Sequence, residues 1–158
     1  MEKTGIEATQ KRTFARHLAN LHALDHLIRL SHRCTQKKRI VLLKTDPRLR
    51  RLAGMLRSTP AAQTEDHDHA AAEERLERLH RILRDQRSLY RKQTVEHTAS
   101  QEISAYTTLH KLDGFRWLHR VAYHLWRIEH HLYHAIDDKA DMPTQPDTRK
   151  LEVELEED

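Results

Sequence analysis

The sequence predicts an all-α fold, an antiparallel bundle of three long helices plus one short helix. Three observations predict it. Glycine (3) and proline (4) are scarce in 158 residues while charged residues make up 33%, a composition that long helices carry and that sandwiches and barrels do not. Apolar residues recur at steps of three and four over several separate stretches, the period of one helical face. Prolines mark joints between those stretches, at Asp46-Pro47 and at Ser58-Thr59-Pro60.

The first long helix is expected from about Thr13 to about Leu43, after a frayed start over residues 1–9. Phe14, Leu18, Leu21, Leu24 and Ile28 form one apolar face, with Asp25 and His32 inside it. Leu27, Leu30, Cys34 and Val41 form a second apolar line opposite, so this helix is expected to be sandwiched between neighbours. Asp46-Pro47 reads as an N-cap followed by proline at the first helical position. It opens a short helix to about Arg57 whose buried face is Leu49, Leu52, Ala53 and Leu56, expected to pack on the Leu27/Leu30 side of the first helix. Ser58-Thr59-Pro60 ends it, because a residue before proline avoids the helical region. A polar loop then runs from Thr59 to Asp68.

The third element spans about Ala70 to Thr98. Its core line is Ala72, Leu76, Leu79, Leu83, Gln86, Tyr90, Thr94 and His97, apolar in its upper half and polar below. Thr98-Ala99-Ser100-Gln101 has capping-box spacing and is expected to start the last helix. The stretch that organises the chain is Ser104 to Ile136, with Leu118, Val121, Leu125, Ile128, Leu132 and Ile136 on one line. Gly114 inside it costs roughly 1 kcal/mol against alanine, and a turn at Asp113-Gly114 is the alternative. Residues 1–138 read as the bundle domain and 139–158 as an acidic tail. From Asp141 to Asp158 there are seven acids and two bases, net −5, so the +4 chain has a body of +9. Such a body suits polyanions, an anionic membrane surface or the tail itself.

The lone cysteine, Cys34, excludes a disulfide framework and points to a reducing compartment. The longest apolar run, Ile40 to Leu43, is far short of a membrane span, and the N-terminus has no apolar signal core. A cytoplasmic chain is expected, possible as the soluble part of something larger. No exposed serine or cysteine nucleophile, phosphate loop or dinucleotide fingerprint is present, so no enzymatic activity and no cofactor is assigned.

The leading candidate binding surface is a cationic line on the last helix: Arg116, Arg120, His124, Arg127 and His131, continued by His134. Arginine forks suit phosphate and carboxylate groups, and histidines add charge near neutral pH. Trp126 and Tyr133 lie on another side and leave apolar surface for a partner. A metal site is not assigned. Asp25, His32 and His97 could form a polar layer in the core, but the paired Glu-x-x-His pattern of di-iron bundles is absent. His22/His26 and His130/His134 are four apart without a matching carboxylate set, and His67-Asp68-His69 lacks the spacing of a closed zinc site.

Two runs carry a family resemblance. Leu112-Asp113-Gly114-Phe115-Arg116-Trp117-Leu118-His119-Arg120-Val121-Ala122-Tyr123-His124-Leu125-Trp126-Arg127-Ile128 resembles the closing helix of PhoU-like domains attached to bacterial sodium/phosphate cotransporters. Leu21-His22-Ala23-Leu24-Asp25-His26-Leu27-Ile28-Arg29-Leu30 resembles their opening helix. The resemblance covers about residues 10–137. It implies a non-enzymatic regulatory or interaction domain at the inner face of the plasma membrane, linked to phosphate uptake, with a protein partner or transporter region as its target and a homodimer as one option. The acidic Glu/Asp-x-x-x-Asp clusters by which PhoU proteins bind metal do not appear: Asp25 is followed four residues later by Arg29. The alternatives are a metal-binding bundle of hemerythrin type and, less favoured for want of a helix-turn-helix and with aromatics at 5%, a basic nucleic-acid-binding bundle.

Overall fold

The computed structural model describes residues 2–57 and 68–136, and these are helical, without a strand among them. Five helices form: α1 (Glu2–Cys34), α2 (Lys37–Thr45), α3 (Pro47–Arg57), α4 (His69–Ala99) and α5 (Ala105–Ile136). None of them is long and apolar enough to cross a membrane. The expected loop over Thr59–Asp68 (apart from Asp68) and the expected tail over 139–158 lie outside the described residues.

The extra helix corrects the expected continuous run to Leu43. The chain breaks after Cys34, where the Thr35 amide bonds to His32 O (3.2 Å), the Gln36 amide to Arg33 O (3.0 Å) and the Thr35 hydroxyl to His32 O (2.7 Å). These tightened bonds close α1 without glycine or proline, so the joint leaves little trace in the sequence. The break lets α2 turn onto α5, where Arg39 Nε donates to Asp113 Oδ2 at 2.7 Å. At the other end the expected frayed start is instead helical from Glu2.

Asp46 joins α2 to α3. Its amide donates to Leu42 O (3.2 Å) at the end of α2. Its Oδ1 accepts from the Arg48 and Leu49 amides, each at 2.9 Å, which caps α3 as the sequence predicts. Its Oδ2 takes the Tyr90 hydroxyl (3.3 Å) and Lys111 Nζ (3.3 Å). Burial raises its pKa, but the amides and Lys111 outweigh it and the carboxyl is held below its ordinary value.

The last helix starts later than the Thr98 box implies. Thr98 bonds back to Thr94 O (3.0 Å) and to the Thr108 hydroxyl. The chain turns at Gln101, whose φ of 62° lies in the left-handed region. Ser104 caps α5, accepting from the Thr107 amide at 3.1 Å.

Helix α5 is the centre of the molecule. Both α1 and α4 pack along it, each antiparallel to it: Arg33 lies by Trp117 and His26 by His124, while Tyr90 lies by Phe115 and His80 by Trp126. The α2–α3 pair covers its N-terminal half, so α3 packs on α2, α4 and α5 rather than along α1 as expected. The apolar core gathers at this end, with Leu49, Leu83 and Leu118 fully buried amid Leu79, Tyr90, Phe115 and Val121. The helix passes Gly114 unbroken. A Cβ there would stand 3.0 Å from Leu49 Cδ1 and 3.4 Å from Leu42 Cβ, so the glycine permits the close approach of α2 and α3.

The expected burial of α1 is overturned. Ala23 is buried, and His26, Leu30 and Arg33 are half-buried, on the side facing α5. Phe14, Leu18, Leu21, Leu24 and Ile28 are 39–69% exposed on the other side. Among the described residues this helix has a neighbour on one flank, where two were expected.

Candidate functional site

From Tyr123 onward α5 packs through histidines, and three groups of them follow from the helix directions. Towards α1, His26 Nδ1 and His124 Nδ1 are 3.0 Å apart, so at least one ring is neutral and accepts. His131 stacks on His22 (5.1 Å between centroids) and on His26 (5.7 Å). Towards α4, His80 stacks on His119 (4.8 Å) and on Trp126 (5.3 Å).

The third group lies where the start of α4 meets the end of α5. Asp68 caps α4, accepting from the Ala71 amide at 3.0 Å, and so sets the direction of its first turns. His69 Nδ1 is 2.8 Å from Glu129 Oε2, and Glu73 Oε1 is 2.6 Å from His130 Nδ1. The ring of His134 lies 4.4 Å from that of His130. Glu73, His130 and His134 each bring one ligand atom to within 4.8 Å of the other two.

Burial governs the protonation of these rings. It lowers His26, His119 and His124 to about 4 and His131 to about 3. Neighbouring positive charge adds to the effect, from Arg127 on His26 and His131 and from Arg33 on His124. His130 is also lowered by burial, against the opposing pull of Glu73. These histidines are therefore neutral near pH 7, each ring with one N–H and one lone pair.

The five residues of the expected cationic line do not share one exposed face. Arg116 is exposed, Arg120, Arg127 and His131 are half-buried, and His124 is buried. The line spirals under α1, which occupies the side of α5 where solvent was expected. Arg127 lies with its guanidinium 5.5 Å from the Trp126 ring. Trp126, expected as partner surface, is half-buried under His80.

The expected polar layer of Asp25, His32 and His97 does not form either. All three are exposed: Asp25 pairs with Arg29 (2.8 Å) and His97 with Glu102 (3.1 Å). Gln86 turns outward to the Arg48 guanidinium at 2.6 Å. The groupings that do form were not foreseen. His69, Glu73, His80 and His119 look like ordinary surface positions in the sequence, and the carboxylate that matches His130/His134 comes from 57 positions away. The one available signal was the four-residue spacing of His69 and Glu73, which puts both on one face of α4. No protein-family model, curated protein or solved structure matches the chain.

Proposed function

We propose that this chain is a non-enzymatic, PhoU-like regulatory domain that acts by protein contact, at the cytoplasmic face of the membrane, in the control of sodium-coupled phosphate uptake. The observation that carries the contact role is a face of α1 that none of the described residues covers. Phe14, Leu18, Leu21, Leu24 and Ile28 are each 39–69% exposed along one helix. The patch is about 21 Å long and presents on the order of 500 Å² of apolar surface, in the upper part of what a monomer shows. Stable interfaces bury about 800 Å² per partner, which the stripe and its polar borders supply. The occupant is a second copy. Two α1 helices crossing antiparallel at Leu21 set Phe14 of one copy against Ile28 of the other, and Leu18 against Leu24.

The link to phosphate rests on the family resemblance. It gains support from where its two runs lie: Leu21–Leu30 and Leu112–Ile128 sit side by side, joined through His26 and His124 at 3.0 Å. The test is Leu21→Glu in the whole protein, read by sedimentation and by phosphate uptake in cells that carry it in place of the native chain. A monomeric variant with altered phosphate-dependent uptake is expected. A native chain that stays monomeric at high micromolar concentration would remove the self-contact. Uptake that does not respond even to loss of the whole chain would remove the phosphate role.

A further inference from the structure

We propose that Glu73, His130 and His134 form a binding site for a divalent transition metal ion of the zinc class, these three being the ligands that the described residues supply. Their ligand atoms lie within 4.8 Å of one another. Around an ion with bonds of 2.0–2.2 Å, ligand atoms stand roughly 3.4 Å apart in a tetrahedron. The closure needed is therefore a rotamer adjustment rather than a movement of helices. His130 and His134 are one helical turn apart on α5 and project from the same side. Glu73 comes from α4, whose antiparallel packing against α5 is part of the fold.

The donor chemistry selects the ion. Two imidazoles and one carboxylate suit zinc, cobalt, nickel or iron, whereas calcium and magnesium prefer oxygen alone. The 2.6 Å Glu73–His130 hydrogen bond holds the two groups together before an ion arrives; the ion takes the place of the shared proton, and the neutral ring then carries its proton on the other nitrogen. Among the described carboxylates at this end, Asp68 caps α4 through the Ala71 amide and Glu129 faces His69 at 2.8 Å, which leaves Glu73 as the ligand. Arg127 is close enough to Glu73 for their charges to interact, and its positive charge opposes cation binding. The site is therefore of moderate affinity, and its occupancy follows the supply of metal. This proposal does not depend on the phosphate reading.

With 14 histidines in the chain, surface binding is expected as background, so the test compares variants. Untagged full-length protein is titrated with Zn²⁺ against a chromogenic chelator and with Co²⁺ for its visible absorption. One saturable site is expected, with a four-coordinate Co²⁺ spectrum. Glu73→Gln and His134→Gln should each weaken it about tenfold or more, while His17→Gln, on exposed α1, should leave it unchanged. Both ligand variants keep polar, partly solvated side chains, and circular dichroism verifies that they fold. Absence of a saturable site, or equal affinity in the native, Glu73→Gln and His134→Gln proteins, would overturn the assignment.

Discussion

The two halves of α5 are packed by different chemistry. From Leu112 to Ala122 the helix is held by Leu49, Leu79, Leu83 and Tyr90, and Phe115, Leu118 and Ala122 are at most 2% exposed. From Tyr123 to His134 it is held by rings of histidine and tryptophan, with the buried Glu129 and half-buried Arg127 among them. The first half gains stability with each methylene removed from water. The second is a polar layer whose groups must find partners. Buried His131 Nε2, Trp126 Nε1 and Arg127 Nε make no hydrogen bond to the described residues, at a cost of about 1–3 kcal/mol for each such group. The leucine end holds the helices together, and the histidine end is held in place by it. A region sustained in this way is free to carry ligands, whereas the leucine end is committed to packing.

Breaking the leucine end should have the largest effect. Leu118 is fully buried, and Leu118→Ala should lower stability by about 2–5 kcal/mol in urea unfolding. A loss below about 1 kcal/mol would show that this end is not the anchor.

Acid should attack the other half. His26 and His124 are lowered to about 4 and His131 to about 3 in the folded chain, against about 6.5 when unfolded. The unfolded chain therefore binds protons first. The stability these rings permit is complete above pH 6.5 and is lost as pH falls towards 4. His131→Leu should flatten that dependence in urea midpoints measured from pH 7.5 to 4, and an unchanged slope would contradict the burial of the layer.

Gly114→Val sharpens the comparison at the leucine end without removing any group. Its Cβ would stand 3.0 Å from Leu49 Cδ1, and overpacking of this kind costs about 1–3 kcal/mol. Thermal unfolding that is unshifted or raised would mean that α2 and α3 yield freely. The smallest effect is expected on the solvent side of α4. The Arg78–Glu74 pair is 66% and 70% exposed, so Arg78→Ala should change stability by only about 0.3–0.5 kcal/mol.

Much of this fold is legible in residue spacing. The lines Leu49/Leu52/Ala53/Leu56 and Leu76/Leu79/Leu83/Tyr90 face the core as their periods require, and Asp46 caps α3 as its position before Pro47 implies. These features are local, set by one helix or one turn. The face that α1 turns inward is not local. Its leucine stripe and its Ala23/His26/Leu30 side both have helical spacing, and nothing within α1 decides between them. The choice follows from α5, whose His131 offers a ring for His22 and His26 to stack upon and whose His124 meets His26 through Nδ1. The Glu73–His130–His134 cluster was hidden for the same reason, because its members belong to two helices.

The sequence by itself determined that the described chain is helical, where α3 and α4 lie and which of their faces are apolar, because periodicity and capping act within a few residues. Only the tertiary structure decided that α1 and α4 flank α5 on separate sides, that the expected cationic line turns inward, and that one carboxylate meets two histidines. Those outcomes depend on distances between residues far apart in the chain, which are set when whole helix surfaces compete for the same neighbour.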